Sequence, residues 1–180
     1  MRKWNALVSA AILLLCLLHG ILGGFQLLGG SSSALKAIAW TAVGLILVHT
    51  GMGLKLTADT LRALRRTGAG YFRENRLFWL RRVSGVAIML FLALHLLAFR
   101  ATGTGGGYRL PLFGTGDLIS QLLLVLSIGV HVISNIRPMM TALGAKNRGH
   151  WAVDLLLVLA VLLLFFGAAF VIYYLRWNVW

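Results

Sequence analysis

RRVSGVAIMLFLALHLLAFR, residues 81–100, is the stretch on which the fold turns. From Val83 to Phe99 it is apolar except for Ser84 and His95. That length approaches the roughly 20 residues a helix needs to cross about 30 Å of hydrocarbon. An imidazole inside such a segment is costly, so it faces the interior of a helix bundle and serves a site. The function of the chain therefore depends on what the remaining sequence offers His95 as a partner.

Four further apolar runs of similar length accompany it, so the spans fall at residues 4–28, 34–56, 83–99, 118–139 and 153–174. The 180-residue chain is 59% hydrophobic and 12% charged, a balance that suits a bilayer rather than water. Backbone in hydrocarbon must satisfy its own hydrogen bonds, and the runs lack the alternation of barrel strands. The expected fold is all-α, one bundle of five transmembrane helices over residues 1–180. The basic start Met1-Arg2-Lys3 resembles a secretion signal, but the apolar run is too long and no small-residue cleavage site follows it. The first run is read as a membrane helix.

A net charge of +13 invites a nucleic-acid reading, but its distribution points to a membrane. Thirteen of the seventeen Lys and Arg residues fall at the N-terminus, between helices two and three, or between helices four and five. Only Lys36, Arg100, Arg109 and Arg176 fall on the other face. The positive-inside rule then puts the N-terminus in the cytoplasm and the C-terminus outside, as expected of a multi-pass protein of a prokaryotic cytoplasmic membrane. Trp79 and Trp151 on the inner side, with Tyr173, Tyr174, Trp177 and Trp180 on the outer, suit interfacial belts. Cys16 is the only cysteine, which excludes a disulfide framework, a cysteine-ligated iron–sulfur cluster and a thioether-attached haem. The glycines of residues 101–107 follow no strand and read as a turn, and residues 29–33 as a connector. The inner segment 57–80 is basic and partly amphipathic, suited to an anionic lipid surface or to docking a partner subunit.

Helices one to four carry one histidine each: His19, His49, His95 and His131. With the topology above, His19 and His95 lie roughly 20 Å from the inner ends of their helices, and His49 and His131 roughly 10 Å. Two pairs result, one towards each face. This suits two b-type haems stacked across the membrane, His49 and His131 holding the inner iron and His19 and His95 the outer. Bis-histidine ligation leaves no open iron position and fits electron transfer. Ser84 lies eleven residues before His95, and Ser120 eleven before His131, almost a whole number of turns, so each shares its histidine's face. Ser127 and Ser134 flank His131, and Gly53 is one turn from His49. Such shallow surfaces suit a porphyrin edge. Lys55 and Arg137, six residues after His49 and His131, are candidates for the inner haem's propionates, against ordinary snorkelling. Their shared spacing hints at a duplicated two-helix unit. The only acids, Asp59, Glu74, Asp117 and Asp154, avoid the middle of the membrane, which disfavours a proton relay. His150 falls in the inner loop and is not expected to be a ligand.

RRVSGVAIMLFLALH resembles the R-x-S/T-G segment, followed about eleven residues later by a haem histidine, of the membrane cytochrome b subunits of succinate dehydrogenase and fumarate reductase. HVISNIRPMM, residues 131–140, resembles the same family's histidine followed by a G-I-R-H stretch, with Asn135 for the glycine and Pro138 for the histidine. Five helices with one histidine in each of the first four are similar to the di-haem, single-anchor branch. The resemblance implies a non-catalytic subunit of an oxidoreductase complex, anchoring a flavoprotein and an iron–sulfur subunit on the cytoplasmic face. Electrons would pass between the iron–sulfur subunit and a membrane quinone, menaquinone in that branch, by way of the inner and outer haems. A glutamate that serves quinol protons in some members has no counterpart between helices one and two. Gln26, Ser31, Ser32, Ser33, Lys36 and Gln121 are the nearest polar residues on that side. Two other readings compete: the cytochrome b subunit of a nitrate reductase, formate dehydrogenase or hydrogenase, and a haem-free anchor or proton-coupled transporter.

Overall fold

The computed structural model describes residues 2–30, 34–67, 75–99, 112–145 and 149–178. Five α-helices follow one another: α1 (Arg2–Leu27), α2 (Leu35–Thr67), α3 (Arg76–Ala98), α4 (Thr115–Ala142) and α5 (Gly149–Asn178). All five contain a stretch long and apolar enough to cross a membrane, and no strand occurs among the described residues. Loop residues 101–107, Ser31, Ser32, Ser33, Arg73, Arg100, Arg109, Lys146, Arg148 and Trp180 lie outside the described residues, as do the side chains of His150, Trp151 and Trp177.

The helices overrun the apolar spans because their polar ends are good helix formers that reach water. Helix α2 is the clearest case: its 33 residues are about 50 Å long, against about 30 Å of hydrocarbon. Its tail, the basic segment expected to lie in a loop, continues the helix through Arg62, Arg65 and Arg66. The backbone of His150 likewise falls in the first turn of α5 rather than in the loop.

Two helix ends are closed by glycine. At the end of α1, Gly29 has φ +112° while the Gly30 N–H donates to the Phe25 carbonyl at 2.9 Å. At the end of α4, Gly144 has φ +87° while the Ala145 N–H donates to the Met140 carbonyl at 3.0 Å. Both are left-handed caps that satisfy the last carbonyls, a conformation a Cβ would strain. Inside α4, Pro138 has no N–H and cannot bond the Ser134 carbonyl four residues back. Arg81 of α3 fills the gap, its Nε donating to that carbonyl at 2.8 Å.

Helix α1 packs on α2, α3 packs on α4, and α5 closes against α4 and α1. The chain thus forms two hairpins, α1–α2 and α3–α4, plus a fifth helix. Close approach of α1 to α5 depends on small residues, as membrane interfaces require. A Cβ on Gly20 would sit 2.4–2.7 Å from the Phe166 ring, and one on Gly24 would sit 2.6 Å from Phe165. The tightest core lies at the end of the bundle that holds the α4 N-terminus, where Leu27, Phe113, Ala169 and Tyr173 are buried with Phe99, Phe170 and Tyr174 against them. Tyr173 is 4% exposed, so it belongs to this core and not to a lipid-facing belt. Elsewhere large apolar side chains point outward, among them Val86, Leu90 and Leu164, the surface expected of helices solvated by lipid.

Candidate functional site

The four membrane histidines meet in two pairs. His19 of α1 faces His95 of α3 with ring centroids 6.0 Å apart and planes at 80°. His49 of α2 faces His131 of α4 at 6.3 Å and 88°. These helix pairs are not packed along their lengths: each histidine reaches from one hairpin to the other.

Hydrogen bonds hold the rings by one nitrogen. His131 Nδ1 lies 3.0 Å from Ser84 Oγ, which also lies 3.3 Å from the Arg81 carbonyl oxygen. His49 Nδ1 lies 3.3 Å from Ser9 Oγ, whose proton goes to the Asn5 carbonyl at 2.7 Å. At Ser9 the 2.7 Å contact commits the hydroxyl proton to the carbonyl, so Ser9 Oγ accepts and His49 Nδ1 carries the imidazole proton, whereas at Ser84 the contact to the imidazole is the shorter of the two. His95 Nδ1 lies 2.7 Å from Gln121 Oε1, which only accepts. The amide is oriented by its nitrogen, which donates to Ser120 Oγ at 3.0 Å, while Ser120 donates to the Asp117 carbonyl at 2.8 Å. His49 and His95 as neutral rings therefore keep an unprotonated Nε2. His19 Nδ1 is buried with no partner among the described residues.

The contacts also measure the distance between pairs. On α1, Ser9 serves His49 while His19 is ten residues further; on α3, Ser84 serves His131 while His95 is eleven further. At 1.5 Å per residue the pairs are about 15 Å apart along the helices. This exceeds the roughly 10 Å expected from the spans. It also corrects the roles of the serines. Ser84 shares a face with His95 and Ser120 with His131, but a spacing of eleven residues carries each to the other site: Ser84 holds His131, and Ser120 supports Gln121 against His95. Ser127 is partly buried in α4.

The expected bases sit less centrally. Lys55 is exposed. Arg137 is exposed too, and borders a groove of about 420 Å³ with Leu77, Leu80, Arg81, Val130, Ile133 and Ser134. Arg82 is the base that reaches the inner pair from α3. Its guanidinium lies over the Phe78 ring at 5.0 Å, and a Cβ on Gly53, one turn from His49, would be 3.6 Å from its Nη1. Gly85 packs under the His131 ring, where a Cβ would lie 3.5 Å from Cε1. Arg82, Ser84 and Gly85 are the R-x-S-G residues, and all three lie at the inner pair. Their spacing, three positions within one turn, was the signal in the sequence; what it lacked was the partner helix. Gln121, named above only as a polar residue near the outer side, has no exposed surface, and both ends of its amide are engaged.

The donor set can be tested against a haem. An imidazole nitrogen binds a metal at about 2.0 Å and lies about 1.1 Å from its ring centroid, so two collinear imidazoles on one metal span about 6.2 Å between centroids. The measured 6.0 and 6.3 Å match this. Among the described residues no group of three or more His, Cys, Asp or Glu converges, so neither pair is a four-ligand structural metal site. Two imidazoles at that spacing, with no third ligand beside them among the described residues, suit an ion whose other four ligands come from a macrocycle. No family model, curated protein or solved structure matches the chain.

Proposed function

We propose that this chain is an electron-transferring membrane anchor that holds two b-type haems, His49 and His131 at the inner site and His19 and His95 at the outer. The supporting observation is the geometry of the two pairs: facing rings at the spacing of a bis-imidazole site, three of them held at Nδ1 by a hydrogen-bonding partner. Haem bound there supplies one-electron iron chemistry without an open coordination position. The residues of the chain do the rest. Ser84, Ser9 and Gln121 orient the rings, as hydrogen-bonded partners of metal-bound histidines do. Arg82 sets positive charge beside the inner pair, where haem propionates would be received. Lipid-facing leucines and valines keep water from the rings.

The complex served is a succinate dehydrogenase or fumarate reductase with menaquinone as quinone, the reading that the R-x-S-G segment supports. Its residues gather at one pair. The N-terminus and the basic ends of α2 and α3 face the cytoplasm, where the flavoprotein and iron–sulfur subunits dock. The test is a reduced-minus-oxidised spectrum of the purified chain with a pyridine haemochrome assay, expected to give two haems b per chain. A chain without haem would leave only the anchor or proton-transporter reading. A haem protein that co-purifies with a molybdenum or nickel subunit would move it to the nitrate reductase, formate dehydrogenase or hydrogenase class.

A further inference from the structure

Gln121 is the only polar side chain with no exposed surface among the described residues, in a bundle that exposes most of its helical surface to lipid. Burial of an amide without partners is unfavourable, so its position has to be matched by its hydrogen bonds. Those bonds form a directed chain. Ser120 Oγ donates to the Asp117 carbonyl, the Gln121 amide nitrogen donates to Ser120 Oγ, and the Gln121 carbonyl oxygen accepts from His95 Nδ1. The contact to His95, at 2.7 Å, is the shortest of the three that hold histidine rings, against 3.0 Å at Ser84 and 3.3 Å at Ser9. A carbonyl away from water is also a better acceptor than a hydroxyl already shared with a backbone carbonyl, because low dielectric strengthens the bond and no solvent competes.

We infer that Gln121 is a positioning residue that lowers the reduction potential of the outer site by drawing on the His95 Nδ1 proton. This rests on the haem reading above. An imidazole whose N–H is strongly accepted becomes a more basic ligand, and a more basic ligand favours the ferric ion over the ferrous. The couple is one-electron: Fe³⁺ gains an electron from the titrant to give Fe²⁺, and no proton moves. His19 has no such acceptor among the described residues, so His95 is the ligand through which the outer site is tuned. The inner site is held by two hydroxyl contacts, both longer.

The test is a potentiometric titration of the haem-loaded full chain, read optically and by EPR. The outer couple is assigned as the one that survives in His49→Ala. Gln121→Leu, which removes the acceptor at similar volume, is expected to raise the outer potential by the equivalent of about tenfold in the ferric-to-ferrous affinity ratio, 59 mV for one electron. Gln121→Glu, titrated at alkaline pH so that the carboxyl is charged, is expected to lower it. Neither should move the inner couple. If Gln121→Leu fails to retain the outer haem, Ser120→Ala, which frees the amide to rotate, should raise the outer potential by a smaller amount. The inference is overturned if Gln121→Leu, or Ser120→Ala in its place, leaves the outer couple unmoved or lowers it, if Gln121→Glu raises it, or if both couples shift equally. A wild-type chain that binds no haem overturns the functional reading itself, and with it this one.

Discussion

At the inner pair both Nδ1 atoms rest on serine hydroxyls from neighbouring helices, and the Arg82 guanidinium reaches across from α3 to Gly53. At the outer pair a buried amide holds His95, His19 Nδ1 has no partner among the described residues, and Phe99 packs against the His95 ring at 4.8 Å. The same ring geometry is thus set in a polar, cationic surrounding at one level and beside one buried amide and an aromatic ring at the other. Identical side chains do not make identical sites: if each pair holds a haem as proposed, the charge and hydrogen bonding around it decide its electron affinity.

The largest effect should come from the histidines. His49→Ala and His131→Ala should each lose the inner haem and leave one common residual spectrum; His19→Ala and His95→Ala should leave a different common one. Shared spectra for His49→Ala and His95→Ala would break the pairing. Next come the serines. Ser84→Ala should weaken haem retention at the inner site by 10–100-fold, the usual cost of losing a ligand's hydrogen-bonded partner. Ser9→Ala, whose contact is longer, should cost less, as measured by haem transfer to an acceptor apoprotein.

Packing gives an effect of intermediate size confined to α1 and α5. Gly20→Ala forces a methyl into the Phe166 ring and should destabilise the bundle by about 1–3 kcal/mol in detergent unfolding. Phe166→Ala in the same chain should relieve part of that loss, since the two residues share one space. The redox comparison comes next. Cations near the inner pair favour the less charged ferrous ion, so the inner couple should titrate above the outer one, and Arg82→Gln should narrow the gap. An inverted order would mean that charge near the inner pair does not set its potential. The smallest effect should be Pro138→Ala. It restores an N–H to α4, so the Ser134 carbonyl no longer needs Arg81, and stability should change by less than about 1 kcal/mol.

The helices and the two pairs were legible in the sequence because hydrocarbon leaves a backbone few options, and one histidine per span at matched depth leaves few ways to pair. Helix ends were less legible. The tail of α2 reads as a charged loop when only hydropathy is followed, yet its Leu, Ala and Arg residues continue the helix once outside the lipid. Second partners were illegible for a geometric reason. Ser84 and His95 share a helix face, and a face says nothing about which level of the facing helices it meets. Arg82 carries the same lesson: a long side chain acts where it reaches, and Arg82 crosses to α2 while Lys55 is exposed.

Each histidine pair takes one member from the first hairpin and one from the second, and the hairpins pack within themselves more than across. Translation emits them in that order, so during synthesis α1 and α2 can settle against each other with His19 and His49 still single. A lone imidazole grips iron porphyrin loosely, and neither cavity has two until the second half of the chain has entered the bilayer. Under the proposed haem reading, maturation is gated by chain completion: a truncated or stalled chain, ending before residue 131, could seat at most the outer cofactor. Nascent fragments would show up in a pulse-labelling experiment as haem-free or half-loaded intermediates, which a membrane quality-control protease could distinguish from finished protein.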